Sequence, residues 1–155
     1  SSLVEEWEAA GAVEDAAPPT EADAVVRDRR GLTVLVRNAL FRRVRLAAAD
    51  KVEELADVDM EWGFGVRKWQ EALDAFYEAH EEILLDADAR SSAYLVIDEA
   101  DERANHVWHV RQIFHDADGD SDFSIAADVD LDATQDAGEV VFSNYRVGFT
   151  EDILD

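Results

Sequence analysis

The feature that most constrains this chain is a change of period near its middle. From Leu32 to about Leu55 the apolar residues recur at helical spacing. At about 100° per residue, Leu32, Leu35, Val36, Ala39, Leu40, Val44 and Leu46 sweep one broad side, which Val34 and Phe41 extend. A second helix is predicted over 66–81, where Val66, Trp69, Leu73, Phe76, Tyr77 and His80 stand three and four apart. Between the two, "DVDMEWGFG" has the Asp and Gly of a connection, with Trp62 and Phe64 as plugs into a core. Past residue 90 the period falls to two. Strands are predicted over 93–97, 106–114, 122–131 and 139–149, separated by polar stretches such as "HDADGDS" and "DATQDAG". Phe123, Ile125, Ala127, Val129 and Leu131 alternate strictly with small or polar residues, so one face of that strand needs a cover.

The two helices are the available cover. The fold class that follows is α+β: two N-terminal helices packed on a four-stranded antiparallel meander. Cone-shaped folds of the cystatin or nuclear-transport-factor type share this layout, an analogy of architecture alone. Ahead of it, residues 1–10 read as a short helical stump with Leu3 and Trp7 on one face. Residues 11–26, with Pro18-Pro19, read as a linker. The domain is then expected over 27–150, with 151–155 as a tail.

Several kinds of chemistry lack their residues. There is no cysteine, which removes disulfides and thiolate metal sites and fits a cytoplasmic setting. No apolar run is long enough for a membrane span, so no membrane partner is expected. The serines sit in no nucleophile-elbow context, and neither a phosphate loop nor a dinucleotide fingerprint is present. The segment "DVDLDATQDAGE" sets Asp128, Asp130, Asp132, Asp136 and Glu139 at calcium-loop spacing. Ala133 stands where that loop requires Gly, so strand followed by turn is the better reading. "HDADGDSD" also reads as a turn. On one strand His106 and His109 would face opposite ways, and no metal or other cofactor is expected.

Charge is where the chain is most uneven. Its net charge is −23, from 37 acidic and 14 basic residues. Yet residues 27–51 hold eight of the basic residues against Asp28 and Asp50, a local +6 that leaves −29 for the remainder. Whole-molecule polyanion binding is disfavoured by that excess. The helical phase divides the arginines. Arg42 and Arg45 share the narrow polar sector with Asn38, and Arg29 and Arg30 stand at the helix entry. These four arginines are the candidates for contact with RNA, DNA or a partner protein. Arg37 and Arg43 fall in the apolar arc and are expected to be structural buried charges that meet carboxylates or carbonyls. A different class of function, a small-molecule-binding protein or small enzyme of the cone type, would use His80, His109, Arg111 and Tyr145 as pocket lining.

Two blocks, "GLTVLVRNALFRRVRLAA" and "WHVRQIFHDADGDSDFSIAADVDLDATQDAGEVV", resemble the uncharacterised domain that forms the C-terminal part of a group of bacterial DEAD/DEAH-box helicases of superfamily 2. The resemblance spans about residues 28–148, and "SSLVEEWE" is similar to the segment where such a helicase core gives way to the domain. "LLDADARSS" departs from a more Gly- and Pro-rich family version. The resemblance implies a non-catalytic appendage of an ATP-driven motor, with the motor domains as partners in cis and nucleic acid as a possible ligand. It assigns no site residues and no oligomeric state.

Overall fold

The computed structural model describes residues 28–154; the stump and linker of residues 1–26 lie outside them. Three helices precede the sheet. α1 spans Arg29–Ala48, α2 Val52–Asp59 and α3 Val66–Ala79. Asp28 caps α1, its carboxylate accepting from the Gly31 amide at 2.9 Å. The helix that the sequence carries through to Leu55 breaks instead after Ala48. Asp50 adopts a left-handed φ of 56°, and the Lys51 N–H closes on the Leu46 carbonyl at 2.9 Å. The apolar spacing runs on through Val52, Leu55 and Ala56, so periodicity alone hides the break. A turn of Met60–Trp62 follows α2, and Gly63 at φ 81° ends it where a side chain would be strained.

α3 buries Trp69, Ala72, Leu73 and Phe76 along one stripe, with His80 just past its end. The sheet then runs β1 (Leu95–Asp98), β2 (Val107–Ile113), β3 (Phe123–Asp130) and β4 (Phe142–Phe149), antiparallel throughout and in the spatial order β1-β2-β3-β4. This is the expected α+β meander. Three short helices complete the described residues: α4 (Glu102–Asn105) before β2, α5 (Leu131–Ala137) between β3 and β4, and α6 (Thr150–Ile153), formed by residues that read as a tail. The sequence reading took α5 for a turn. Asp130 caps it by accepting from the Ala133 amide at 3.0 Å, and Gly138 closes it at φ 75°.

Trp108, Val110, Phe123, Ile125, Ala127, Val129, Phe142 and Tyr145 face the helices from the sheet and join Leu32, Val36, Leu40, Leu55, Trp69, Leu73 and Phe76 in one core. β4 carries a bulge: its pairing to β3 shifts between Ala126 and Asp128, and Asn144 takes a φ of 48°. The extra residue lets Phe142 and Tyr145, three apart, both point inward. Phe76 meets Phe114 and Phe123 edge against face, and Phe114 and Phe123 pack at a tilt, with centroids 5.1 to 5.9 Å apart. The space between α3 and the sheet is filled by rings.

Candidate functional site

The inward side of α1 is anchored by a buried ion pair. Arg43 and Asp59, 6% and 0% exposed, meet at 3.0 Å between Nη2 and Oδ1, and Nε donates to the same oxygen at 3.1 Å. Trp62 donates its indole N–H to Oδ1 at 2.7 Å and Trp69 donates to Oδ2 at 3.0 Å. Arg43 also donates to the Ala39 carbonyl and lies 5.3 Å from the centre of the Phe142 ring. A buried charge is tolerable only when so satisfied. The node ties α1, α2, the Met60–Trp62 turn and α3 together. Tyr145 packs beside it. Burial first, and then the Asp59 charge, push its phenol well above the ordinary range, so it stays neutral. Its hydroxyl has no hydrogen-bond partner. Arg37 is half-buried, and its Nε is likewise buried without a partner.

The outward side is built differently. Arg42 and Arg45 are exposed, and Arg90 joins them from the segment that follows α3. The guanidinium carbons of Arg45 and Arg90 lie 5.4 and 4.8 Å from the centre of the Phe41 ring, which is only 2% exposed. Arg90 Nη2 reaches Asn38 Oδ1 at 3.5 Å. Arg42 and Asn38 border an adjoining cleft of about 510 Å³ whose walls include Leu35, Ala39, Trp62 and Val140. Among the described residues no carboxylate forms an ion pair with Arg42, Arg45 or Arg90. In a chain of 37 acidic residues, exposed arginines that form no ion pair among the described residues are the distinctive local feature, although Asp57, Glu61 and Glu139 share the cleft that Arg42 borders.

Arg90 is held in place rather than trailing. Asp86 accepts from the Ala89 amide and lies 2.9 Å from His115 Nδ1, while the Leu84 N–H bonds the His115 carbonyl at 2.8 Å. The Ala89 hydrogen bond, and then His115, hold the Asp86 carboxyl below its ordinary value. Sequence reasoning missed Arg90 because it lies 52 residues from Asn38 in a segment with no periodic signal. Of the other entry arginines, Arg30 is exposed and without an ion pair among the described residues. Arg29 is committed: its guanidinium contacts Glu99 at 2.6 Å and Glu102 at 2.8 Å. Glu102 in turn accepts from Trp108 Nε1 at 2.8 Å, which pins the start of α1 to the β1–β2 connection.

The four residues considered as pocket lining are dispersed. Tyr145 faces the helices, whereas His109 and Arg111 lie on the opposite face of the sheet, along a shallow cleft of about 180 Å³. His109 is held by Asp128 at 2.6 Å and Asp101 at 3.2 Å, and the Asp128 hydrogen bond raises its pKa. His106 precedes β2 in a left-handed conformation.

His80 sits at the far end of α3 in the "HDADGDSD" turn. It is 4% exposed, with Nδ1 2.8 Å from Asp118, Nε2 2.9 Å from Asp122, and Asp116 3.7 Å from Nδ1. Both nitrogens face carboxylates, an arrangement that favours the imidazolium form. Burial alone would lower its pKa, but the hydrogen bonds to Asp118 and Asp122 and the Asp116 charge outweigh that and raise it. Asp116 accepts from the Asp120 and Ser121 amides at 2.9 and 2.8 Å. His80, Asp116, Asp118 and Asp120 bring ligand-type atoms within 4.8 Å of one another, the spacing a metal would need. The raised His80 pKa favours an imidazolium among these carboxylates. The other acidic stretch makes no such loop, since Leu131–Ala137 is helical and Asp128 is paired with His109.

A helix layer on a four-stranded antiparallel meander, with one face of α1 buried on an ion pair and the other presenting arginines, defines a small α+β domain with a cationic surface patch. The model of the family "Domain of unknown function (DUF3516)" matches residues 1–147, and the chain belongs to that family. No curated protein and no solved structure matches it. Among the described residues no helix is long and apolar enough to cross a membrane.

Proposed function

We propose that this chain is a non-catalytic accessory domain of an ATP-dependent RNA or DNA helicase, which positions nucleic acid for the motor or docks on the motor core. The observation that carries the reading is the patch of Arg42, Arg45 and Arg90, none of which forms an ion pair among the described residues, with Arg45 and Arg90 set over Phe41 and Arg90 reaching Asn38. Arg30, on the same helix, extends the cationic stripe towards its N-terminus. The similarity of the α1 and β2–β3 blocks to helicase C-terminal domains supplies the context. With a net charge of −23, the domain can offer an anion only a narrow footprint, which suits an aid to a motor better than an independent binder.

Binding of the full 155-residue chain to single-stranded RNA, followed by fluorescence anisotropy at low and rising ionic strength, tests the positioning role. Weak, salt-sensitive binding is expected. Absence of binding at low salt rejects positioning and leaves docking, which is read from ATP turnover of the parent helicase with and without this domain.

A further inference from the structure

We propose that the patch is a backbone-phosphate site, in which Arg42, Arg45, Arg90 and the Asn38 amide hold a few successive phosphates of a single strand without stacking or reading its bases. This rests on the nucleic-acid arm of the function proposed above. Three observations carry it. First, the ring at the centre of the patch is spoken for: Phe41 is 2% exposed beneath the Arg45 and Arg90 guanidinium groups, so no base can stack on it. Second, the Arg45 and Arg90 guanidinium groups lie over that ring without a carboxylate partner, and Arg42 forms no ion pair among the described residues, so each keeps N–H donors that match phosphate oxygens. The Asn38 carbonyl oxygen is already turned to Arg90, which leaves its NH₂ as a further donor. Third, the acidic remainder limits how much polyanion can approach. A duplex carries a charge every ~1.7 Å along a stiff axis and would bring many phosphates against carboxylates. A flexible single strand can set a few phosphates on the patch and leave the surface on either side.

A ring that could serve a base is Trp62, on the wall of the cleft that Arg42 also lines. It is half-buried, packs against Phe142 at 5.5 Å, and has its N–H engaged by Asp59. Stacking on Trp62 is therefore the competing outcome.

The experiment measures anisotropy of the full chain with four labelled probes of equal length: oligouridylate, oligothymidylate, an abasic phosphodiester and an oligomer with an uncharged backbone. The first three are expected to bind alike and the fourth not at all. Log affinity should fall with log salt at a slope of about −2, from about 0.7 per phosphate for three contacts. Arg42→Gln, Arg45→Gln and Arg90→Gln should each flatten the slope by about 0.7, with circular dichroism unchanged, whereas Arg67→Gln on α3 should not alter it. Tighter binding of the base-bearing probes by about tenfold or more, the scale of one stacked base, overturns the phosphate site but leaves the accessory-domain reading intact. So does binding whose slope ignores all three patch variants. Failure of every probe to bind overturns both this inference and the positioning role.

Discussion

Arg42 and Arg43 are neighbours in sequence and opposites in the structure. Arg43 points inward and meets Asp59, the Ala39 carbonyl and the Phe142 ring, while Arg42 points outward and meets no carboxylate. The two sides of α1 therefore use one residue type for different ends. On the buried side water is gone, so each donor must be answered by the protein, and the answer locks three helical segments in one arrangement. On the exposed side water satisfies the guanidinium groups. Their charge adds little to stability and is free for a partner. A cluster of arginines in sequence thus says nothing of its use until each is assigned a side.

The sharpest way to break this comparison is to remove the buried partner. Asp59→Ala leaves Arg43 charged and buried and strands the Trp62 and Trp69 indole donors. It should cost about 3–5 kcal/mol in urea denaturation, the range for breaking one side of a buried ion pair. Replacing Arg43 and Asp59 together with apolar residues should cost less than Asp59→Ala alone, because no uncompensated charge remains. A double variant as unstable as the single one would show that the node acts through shape rather than charge.

His80 supplies a second buried cation to set beside Arg43, with the difference that it can lose its charge. Its folded pKa is raised, so its contribution is complete below the ordinary value of 6.5 and is lost as pH rises through the folded value. Burial alone would raise the Asp116 pKa, but the Asp120 and Ser121 amide hydrogen bonds outweigh it and lower the value. Its contribution is therefore present above 3.8 and is lost as pH falls through the folded value. Stability should be greatest between these limits and decline on the alkaline side. His80→Gln should lower stability at pH 6 by roughly 1.5–3 kcal/mol, the worth of a charged hydrogen bond, and shrink the alkaline decline to the smaller share of the more exposed His109, whose pKa is also raised. An alkaline decline of unchanged size in His80→Gln would assign it to another group. The smallest effect belongs to the outward side: Arg45→Gln and Arg90→Gln should leave stability within about 0.5 kcal/mol of the parent in the same assay.

Much of the fold was legible because burial follows local period. Alternation in 122–131 announced the face of β3 that packs on the helices, though not that Ser124 and Ala126 on its other face are buried too, and spacing of three and four in α3 announced its buried stripe. The break at Asp50 was not legible, because apolar spacing continues across it and only the left-handed φ of one residue redirects the chain. Helix α5 was obscured by its polar composition, although its Asp cap and closing Gly were there to be read.

Of the candidate site, the sequence by itself determined that Arg43 turns inward and that Arg42 and Arg45 turn outward, since helical phase is a local property of the chain. It also determined the meander, because adjacent strands joined by short connections pair with one another. Only the tertiary structure decided that Asp59 answers Arg43, that Arg90 joins Arg45 over Phe41, that Arg29 is held by Glu99 and Glu102, and that His80 enters the acidic turn. Those meetings span 16 to 73 residues and follow from how the helices break and settle on the sheet, which no local pattern encodes.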